Sequence, residues 1–174
     1  MTRSELLVDG TNVAWAWERS RPWLIRKDHG AAQRALVSAA LNSALRNEFE
    51  QITFVFDGPP PPLGPTSGPG LRVLYPDPGQ TADERIVELA ARIVHGGIAP
   101  VVATSDRGLR DLIRQQGGVT IGGQALIQKL EPRGAGGPAR ETSTPDLGEE
   151  KPRPSSRDTE SWLSQFSRPR RHPK

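Results

Sequence analysis

The chain has 174 residues, in which 23 lysines and arginines exceed 20 aspartates and glutamates to give a net charge of +3. It contains no cysteine, which excludes disulfides, thiolate zinc sites and thiol nucleophiles. No apolar run approaches the roughly 20 residues of a membrane span, and Glu5 and Asp9 interrupt the apolar stretch near the start, so we expect a cytoplasmic protein with no membrane partner.

Strand-like and helix-like segments alternate along the first 131 residues. The first strand is predicted over 5–9, and an alanine- and leucine-rich helix follows over 29–47. Clusters of β-branched and aromatic residues predict further strands, and apolar residues at helical spacing predict further helices. These strands are 51–57, 71–75, 99–104 and 119–121, and these helices are 81–95, 105–116 and 124–130. The alternation predicts an α/β fold, a three-layer α/β/α sandwich around a mainly parallel five-stranded sheet.

Two segments lack this alternation. Residues 58–70 are rich in proline and glycine and are predicted to form a semi-rigid loop. Residues 132–174 combine proline, glycine and charge with few apolar residues, so we predict a disordered tail after a folded domain over 1–131. Within the tail, a short amphipathic helix predicted over 158–166 is either a docking motif for RNA or protein, or a chance cluster of aromatic residues.

A carboxylate follows each of the first four predicted strands. These carboxylates are Asp9, Asp57, Asp83 and Asp106, and Asn12 lies three residues after the first of them. Ligands of open α/β sheets bind at the carboxyl ends of the strands, so we expect these side chains to share one edge. Crowded carboxylates repel one another unless a cation neutralises them, and oxygen ligands without His or Cys suit Mg²⁺ or Mn²⁺. We therefore predict a divalent-metal site formed by the four aspartates.

Each of these residues also has a purely structural explanation. Thr81 and Glu84 match a capping box, which favours a cap for Glu84 as much as metal binding. A serine at the position of Ser105 more often caps the following helix than takes part in catalysis. The aspartates fit tight turns or the first turns of helices, so only their occurrence at four strand ends together favours a site.

Four motifs, taken in order, resemble the NYN domain family, and more narrowly its YacP-like branch within the PIN-like ribonuclease superfamily. The motifs are DGTN at 9–12, VFDG at 55–58, TADERI at 81–86 and ATSDRGL at 103–109. The resemblance covers roughly residues 4–131 and leaves the tail out. The proline-rich loop at 58–70 departs from the polar linker expected at that point.

This resemblance implies a metal-dependent endoribonuclease with Mg²⁺ or Mn²⁺ as its cofactor. Its catalytic residues would be Asp9, Asn12, Asp57, Asp83 and Asp106, and the four aspartates would hold the metal. Such an ion lowers the pKa of a bound water and stabilises charge on the attacked phosphodiester. The resemblance also implies single-stranded RNA or mRNA as the substrate and the ribosome as a candidate partner, and it leaves the oligomeric state open.

Candidate substrate-binding residues lie next to the proposed metal ligands. Arg85 and Arg107 each adjoin one of the aspartates, and Ser105 precedes Asp106. Arg110 and Arg114 continue Arg107 at helical spacing, which predicts either a basic stripe or a solvated helix face.

Three tryptophans follow the first motif and are interleaved with arginines. They lie at positions 15, 17 and 23. Unpaired bases could stack on them, and covering the edge of the sheet as part of the core is the equal alternative for the first two.

Three other functions share part of the pattern. A haloacid-dehalogenase-type phosphatase needs an aspartate two residues before Asp9, where this chain has Leu7. A receiver-like signalling domain needs a lysine at the end of its last strand, where this chain has Ile121-Gly122-Gly123. A non-catalytic RNA-binding module that keeps the fold and holds only a structural ion stays open as the main alternative.

Overall fold

The computed structural model describes residues 4–131, and within them five strands form one fully parallel sheet. The strands are β1 (Glu5–Asp9), β2 (Gln51–Val55), β3 (Leu71–Leu74), β4 (Val101–Ala103) and β5 (Val119–Ile121). All five predicted strands are present, although β2, β3 and β4 are shorter than predicted. The predicted domain boundary after residue 131 stays a prediction, and the predicted tail and its helix at 158–166 lie outside the described residues.

Seven helices accompany the strands in the part of the chain that the structure describes. They are α1 (Gly10–Ala16), α2 (Arg21–Ile25), α3 (His29–Leu41), α4 (Leu45–Glu48), α5 (Ala82–His95), α6 (Arg107–Gln115) and α7 (Gly123–Leu130). The sequence predicts neither α1 nor α2, because Asp9-Gly10 has the composition of a turn and the short segments that follow have no clear apolar period.

The single helix predicted over 29–47 is two helices in the structure. The hydroxyl of Ser43 donates to the carbonyl oxygen of Ala40 at 2.8 Å and accepts from the backbone N–H of Leu45 at 3.3 Å. Such side-chain hydrogen bonds compete with the helical ladder, and here they form at the break between α3 and α4.

The sheet lies between two helical layers, as the alternation predicts. Leu6 and Val8 of β1 belong to a core shared with α1, α3 and α7, whereas Leu7 belongs to a second core shared with α5 and α6. The split follows from the strand geometry, since successive side chains point to opposite faces. Residues 58–70 form the loop between β2 and β3, as predicted. No helix among residues 4–131 combines the length and apolar character that crossing a membrane requires.

The order of the strands is β3-β2-β1-β4-β5, so the chain moves outward from β1 in one direction and then returns to build β4 and β5 on the other side. This reversal between β1 and β4 is a topological switch point. The loops that leave the carboxyl ends of the two strands diverge there and open a crevice in which α/β proteins bind their ligands.

Candidate active site

The four predicted aspartates all lie at the carboxyl edge of the sheet. Asp9 ends β1, Asp57 comes two residues after β2, Asp83 is in the first turn of α5, and Asp106 is the N-cap of α6 just after β4. The negative charges of Asp57 and Asp83 act on Asp9, and those of Asp57 and Asp106 act on Asp83. We call this group of four residues the acidic edge.

Asp9 is the most buried member of the acidic edge, with 4% of its surface exposed. Its Oδ1 accepts from the backbone N–H of Asn12 at 3.2 Å, which caps α1, and its Oδ2 accepts from the hydroxyl of Thr104 at 2.9 Å. A Cβ on Gly10 would lie 2.5 Å from the ring of Phe56, so the residue after Asp9 must be glycine. Asp9-Gly10 therefore starts a helix under a packed aromatic ring.

Thr104 links two of the four aspartates. Its side chain is fully buried, and its hydroxyl donates to Asp9 while accepting from the backbone N–H of Asp106 at 3.1 Å. The carboxylate of Asp106 in turn accepts from the backbone N–H of Leu109 at 2.7 Å and caps α6. Thr104 is not among the site residues predicted from the sequence. A hydroxyl at the end of a buried strand, two residues before a motif aspartate, is the signal that could have identified it.

Asn12 and Ser105 form a second connection across the crevice. Oδ1 of Asn12 accepts from the backbone N–H of Ser105 at 3.1 Å, and Oγ of Ser105 accepts from the backbone N–H of Gly123 at 3.3 Å. The expectation that Ser105 caps α6 is wrong, because Asp106 occupies that position and Ser105 instead contacts the first residue of α7. Nδ2 of Asn12 has no protein partner within residues 4–131, so it can donate to a ligand.

Glu84 completes the predicted capping box. Its Oε2 accepts from the backbone N–H of Thr81 at 2.8 Å, and the hydroxyl of Thr81 accepts from the backbone N–H of Glu84 at 3.2 Å. The structural explanation is therefore confirmed for this residue, and its carboxylate already stabilises the start of α5.

The two candidate substrate-binding arginines differ in their surroundings. Nη1 of Arg85 donates to Glu88 at 2.9 Å, one turn along α5, and 21% of the Arg85 side chain is exposed. Arg107 is exposed at the first position of α6, directly after Asp106.

Burial and mutual repulsion raise the pKa of two carboxyls in the acidic edge. Burial raises the pKa of Asp9 to about 6; the hydrogen bonds from Thr104 and Asn12 oppose this rise, and the charges of Asp83 and Asp57 add to it. Burial likewise raises the pKa of Asp83, and the charges of Asp106 and Asp57 raise it further. A bound cation would remove this electrostatic cost.

The donors of the acidic edge suit a hard divalent cation, because they are oxygens of carboxylates and amides. Among residues 4–131, no three Asp, Glu, His or Cys side chains are arranged closely enough to hold a metal ion by themselves. Mg²⁺ does not require such a cage, since it keeps several waters and commonly uses one or two carboxylates together with substrate phosphates. The residues fit such an ion, and the predicted set of four aspartate ligands stays a prediction.

The tryptophans lie away from the acidic edge in different environments. Trp17 is 3% exposed and belongs to the core, so the core alternative is confirmed for it, whereas Trp15 is 48% exposed. Trp17 and Trp23 border a groove of about 570 Å³ that also includes Asn42 and Leu130, from the carboxyl ends of α3 and α7. These helices begin at the carboxyl edge of the sheet, so the groove lies at the opposite end of the layer.

Comparison with known proteins identifies relatives of this chain. A family model described as a YacP-like NYN domain matches residues 6–165. The match continues past residue 131, so it corrects the expectation that the tail lies outside the resemblance. Among curated protein sequences, none matches the chain significantly.

Two solved structures have a similar fold. A mutant of Rae1 (YacP) from Bacillus subtilis superposes with a TM-score of 0.59 at 26% identity, over 73% of this chain and 74% of that chain. Rae1 (YacP) from the same organism gives a TM-score of 0.60 at 24% identity, over 75% of this chain and 74% of that chain. These likenesses agree with the predicted sandwich and its parallel sheet.

Proposed function

This chain belongs to the YacP-like NYN domain family, a family of PIN-like nucleases, and from that premise we propose that the protein is a divalent-metal-dependent endoribonuclease. The observation that carries the proposal is the acidic edge, in which four aspartates repel one another at the carboxyl ends of the strands. The family match favours this function over the phosphatase and the receiver domain.

The metal would be Mg²⁺ or Mn²⁺, with Asp9, Asp83 and Asp106 as its candidate ligands; one or two of these carboxylates would bind it directly, and its bound waters would contact the rest. Asp57 would complete the ligand set or orient a water molecule. When bound, the ion stabilises the negative charge that develops on the attacked phosphodiester and makes water a better nucleophile.

The chain's own hydrogen bonds prepare the site for this chemistry. Thr104 holds Asp9 and the backbone of Asp106 in a fixed relation, so little reorganisation is needed when a ligand arrives. Asn12 is held by the backbone of Ser105 through its Oδ1, which leaves its Nδ2 donor for a phosphate oxygen of the substrate. These hydrogen bonds therefore position Asp9, Asp106 and Asn12 before the substrate binds.

The openness of the acidic edge supports a polymeric substrate. Asp57, Asp83 and Asp106 are all exposed, so a strand can pass across them without entering an enclosed cavity. Arg85, Ser105 and Arg107 remain the proposed contacts to the substrate. RNA as the polymer, its single-stranded form, mRNA or the ribosome as partners, and a cytoplasmic location are further parts of the proposal.

The proposal is tested by incubating the full-length protein with end-labelled single-stranded RNA in Mg²⁺, in Mn²⁺ and in EDTA. We expect internal cleavage that requires the metal and leaves 5′-phosphate and 3′-hydroxyl ends. Glu48→Gln is a matched control, because Glu48 precedes β2 at the other end of the sheet and pairs with Lys129. RNA binding without metal-dependent cleavage would favour the non-catalytic module instead.

A further inference from the structure

Two helices lead away from the acidic edge on the same face of the sheet, and their charges differ. Both α5 and α6 pack on the core that includes Leu7 of β1. Beyond Asp83, helix α5 carries two acids and two arginines, whereas α6 carries three arginines and one aspartate after Asp106. A polyanion that leaves the acidic edge therefore meets balanced charge along α5 and net positive charge along α6.

The arginines of α6 lie along one side of the helix, and we call them the α6 stripe. They are Arg107, Arg110 and Arg114, spaced by three and four residues, and together with Asp111 they line a shallow groove of about 240 Å³. The stripe begins beside Asp106, and its last arginine lies seven residues after its first, which is roughly 10 Å along the helix axis. It therefore forms a continuous basic path that starts at the acidic edge.

The guanidinium groups of the α6 stripe are weakly engaged by the protein. Arg114 contacts Asp111 at 3.7 Å in an exposed pair, and such pairs contribute little. Nε of Arg110 is buried and has no hydrogen-bond partner within residues 4–131. The structure gives neither Arg107 nor Arg110 a salt bridge in that range. The α6 stripe can therefore bind phosphate without first breaking a strong internal contact.

The arginines of α5 are in the opposite situation. Arg85 donates to Glu88 at 2.9 Å, and Arg92 pairs with the other oxygen of the same carboxylate. Nε of Arg85 has no partner in the described residues, but its terminal nitrogen would have to leave Glu88 to reach a phosphate. The structure thus separates Arg85 from Arg107, which the sequence treats alike.

We infer that the substrate strand leaves the acidic edge along α6, with its phosphates on Arg107, Arg110 and Arg114. The inference rests on the proposed function, since it takes RNA as the polyanion. At the axial spacing of about 3.4 Å per phosphate in a stacked strand, the α6 stripe reaches at most about three phosphates. Contacts of this kind fix the position of a strand without reading its bases.

The test measures binding of fluorescein-labelled oligouridine of about 12 nucleotides to the full-length protein in EDTA, by anisotropy over a range of salt concentrations. The logarithm of the association constant falls linearly with the logarithm of the salt concentration. The steepness of this fall should decrease by about 0.7 in each of the single variants Arg107→Gln, Arg110→Gln and Arg114→Gln. At about 0.1 M salt this corresponds to roughly fivefold weaker binding for each variant, and to a loss on the order of a hundredfold for the triple variant.

Two control variants test whether the effect comes from the charge of the α6 stripe, and not from the loss of any arginine or from altered packing. Arg34→Gln removes an exposed arginine from α3, on the other face of the sheet, and should leave the slope unchanged. Arg110→Lys keeps the charge of a half-buried side chain and should also preserve the slope. DNA of the matching sequence should show the same loss of slope, because the contacts are to phosphate.

An unchanged slope in the triple variant would overturn the inference, and so would a wild-type Kd weaker than about 10⁻⁴ M. Binding in EDTA does not depend on cleavage, so the two proposals fail separately. If the slope falls but no metal-dependent cleavage occurs, the α6 stripe stands and the nuclease proposal fails. If cleavage occurs and the slope does not change, the α6 stripe fails alone.

Discussion

The acidic edge has two halves that the protein treats differently. Asp9 and Asp106 lie at the switch point, and hydrogen bonds to Thr104 and to the backbone hold both in place as helix N-caps. Asp57 and Asp83 are exposed, and the structure gives their carboxylates no hydrogen bond within residues 4–131. The first half, which we call the ordered half, thus has a structural role beside any chemical one. The second, which we call the open half, has carboxylates that form no hydrogen bond, and the one structural use of its charge is the placing of Asp83 in the first turn of α5. Asp83 is therefore the carboxyl that a bound cation would relieve most, because its pKa is raised and it forms no hydrogen bond or ion pair within residues 4–131.

The largest expected effect comes from removing charge in the open half. Asp83→Asn should reduce metal-dependent cleavage on the order of a thousandfold, because metal stabilisation of the transition state is worth several kcal/mol. Its melting temperature should change little, because the substitution breaks no hydrogen bond and the repulsion that it removes offsets the loss of an acid from the first turn of α5. Initial cleavage rates and thermal melts of the variant and of Glu48→Gln test this, and wild-type turnover by Asp83→Asn would remove Asp83 from the site.

The second-largest effect is the pH dependence of stability that Asp9 of the ordered half produces. Because the pKa of Asp9 rises from its ordinary value of 3.8 to about 6 on folding, the folded state binds the proton more tightly than the unfolded state. Metal-free wild type should therefore lose stability relative to Asp9→Asn as the pH rises from about 4 to about 7, by an amount on the order of 3 kcal/mol.

Denaturant unfolding of both proteins across this range measures the difference, and Asn at this position can still cap α1. At pH 7, Mn²⁺ should raise the melting temperature of the wild type more than that of Asp9→Asn. A pH-independent difference between the two proteins would contradict the raised pKa.

A smaller effect is expected from the Thr104 hydroxyl, which links Asp9 to the backbone of Asp106. Thr104→Val should lower the free energy of unfolding by about 1–3 kcal/mol, since it leaves Oδ2 of the buried Asp9 carboxylate and the backbone N–H of Asp106 without a partner. Thr104→Ser keeps the hydroxyl and should recover most of the loss. Equal destabilisation by both variants would mean that packing of the methyl group, and not the hydrogen bonds, matters at this position.

The smallest effect on cleavage and stability should come from Glu84, whose carboxylate caps α5. Glu84→Gln can still form the capping box, so stability and cleavage rate should both stay close to wild type. Glu84→Ala should cost about 1 kcal/mol of stability with little change in the rate. A steep fall in cleavage for Glu84→Gln would show that its charge takes part in the site.

Much of the framework could be predicted because its signals are local. The strands are short apolar runs, and the aspartate that follows each of the first four is visible in the sequence itself. The capping box at Thr81 and Glu84 needs only three residues of context, and its prediction is confirmed. The helix α1 is not predicted, because the dipeptide Asp9-Gly10 is common both in turns and at the starts of helices. Here it starts a helix, and only the structure shows that Phe56 packs over Gly10.

By itself, the sequence determined the alternation of strands and helices and the placing of an acid after each of four strands, because these depend on the properties of neighbouring residues. Only the tertiary structure decided which side chains are engaged. Asp9 meets Thr104 from 95 residues away, and Asn12 meets the backbone of Ser105 from 93 residues away. Hydrogen bonds and burial of this kind depend on which segments the sheet order brings together. The sequence pattern alone does not contain that information.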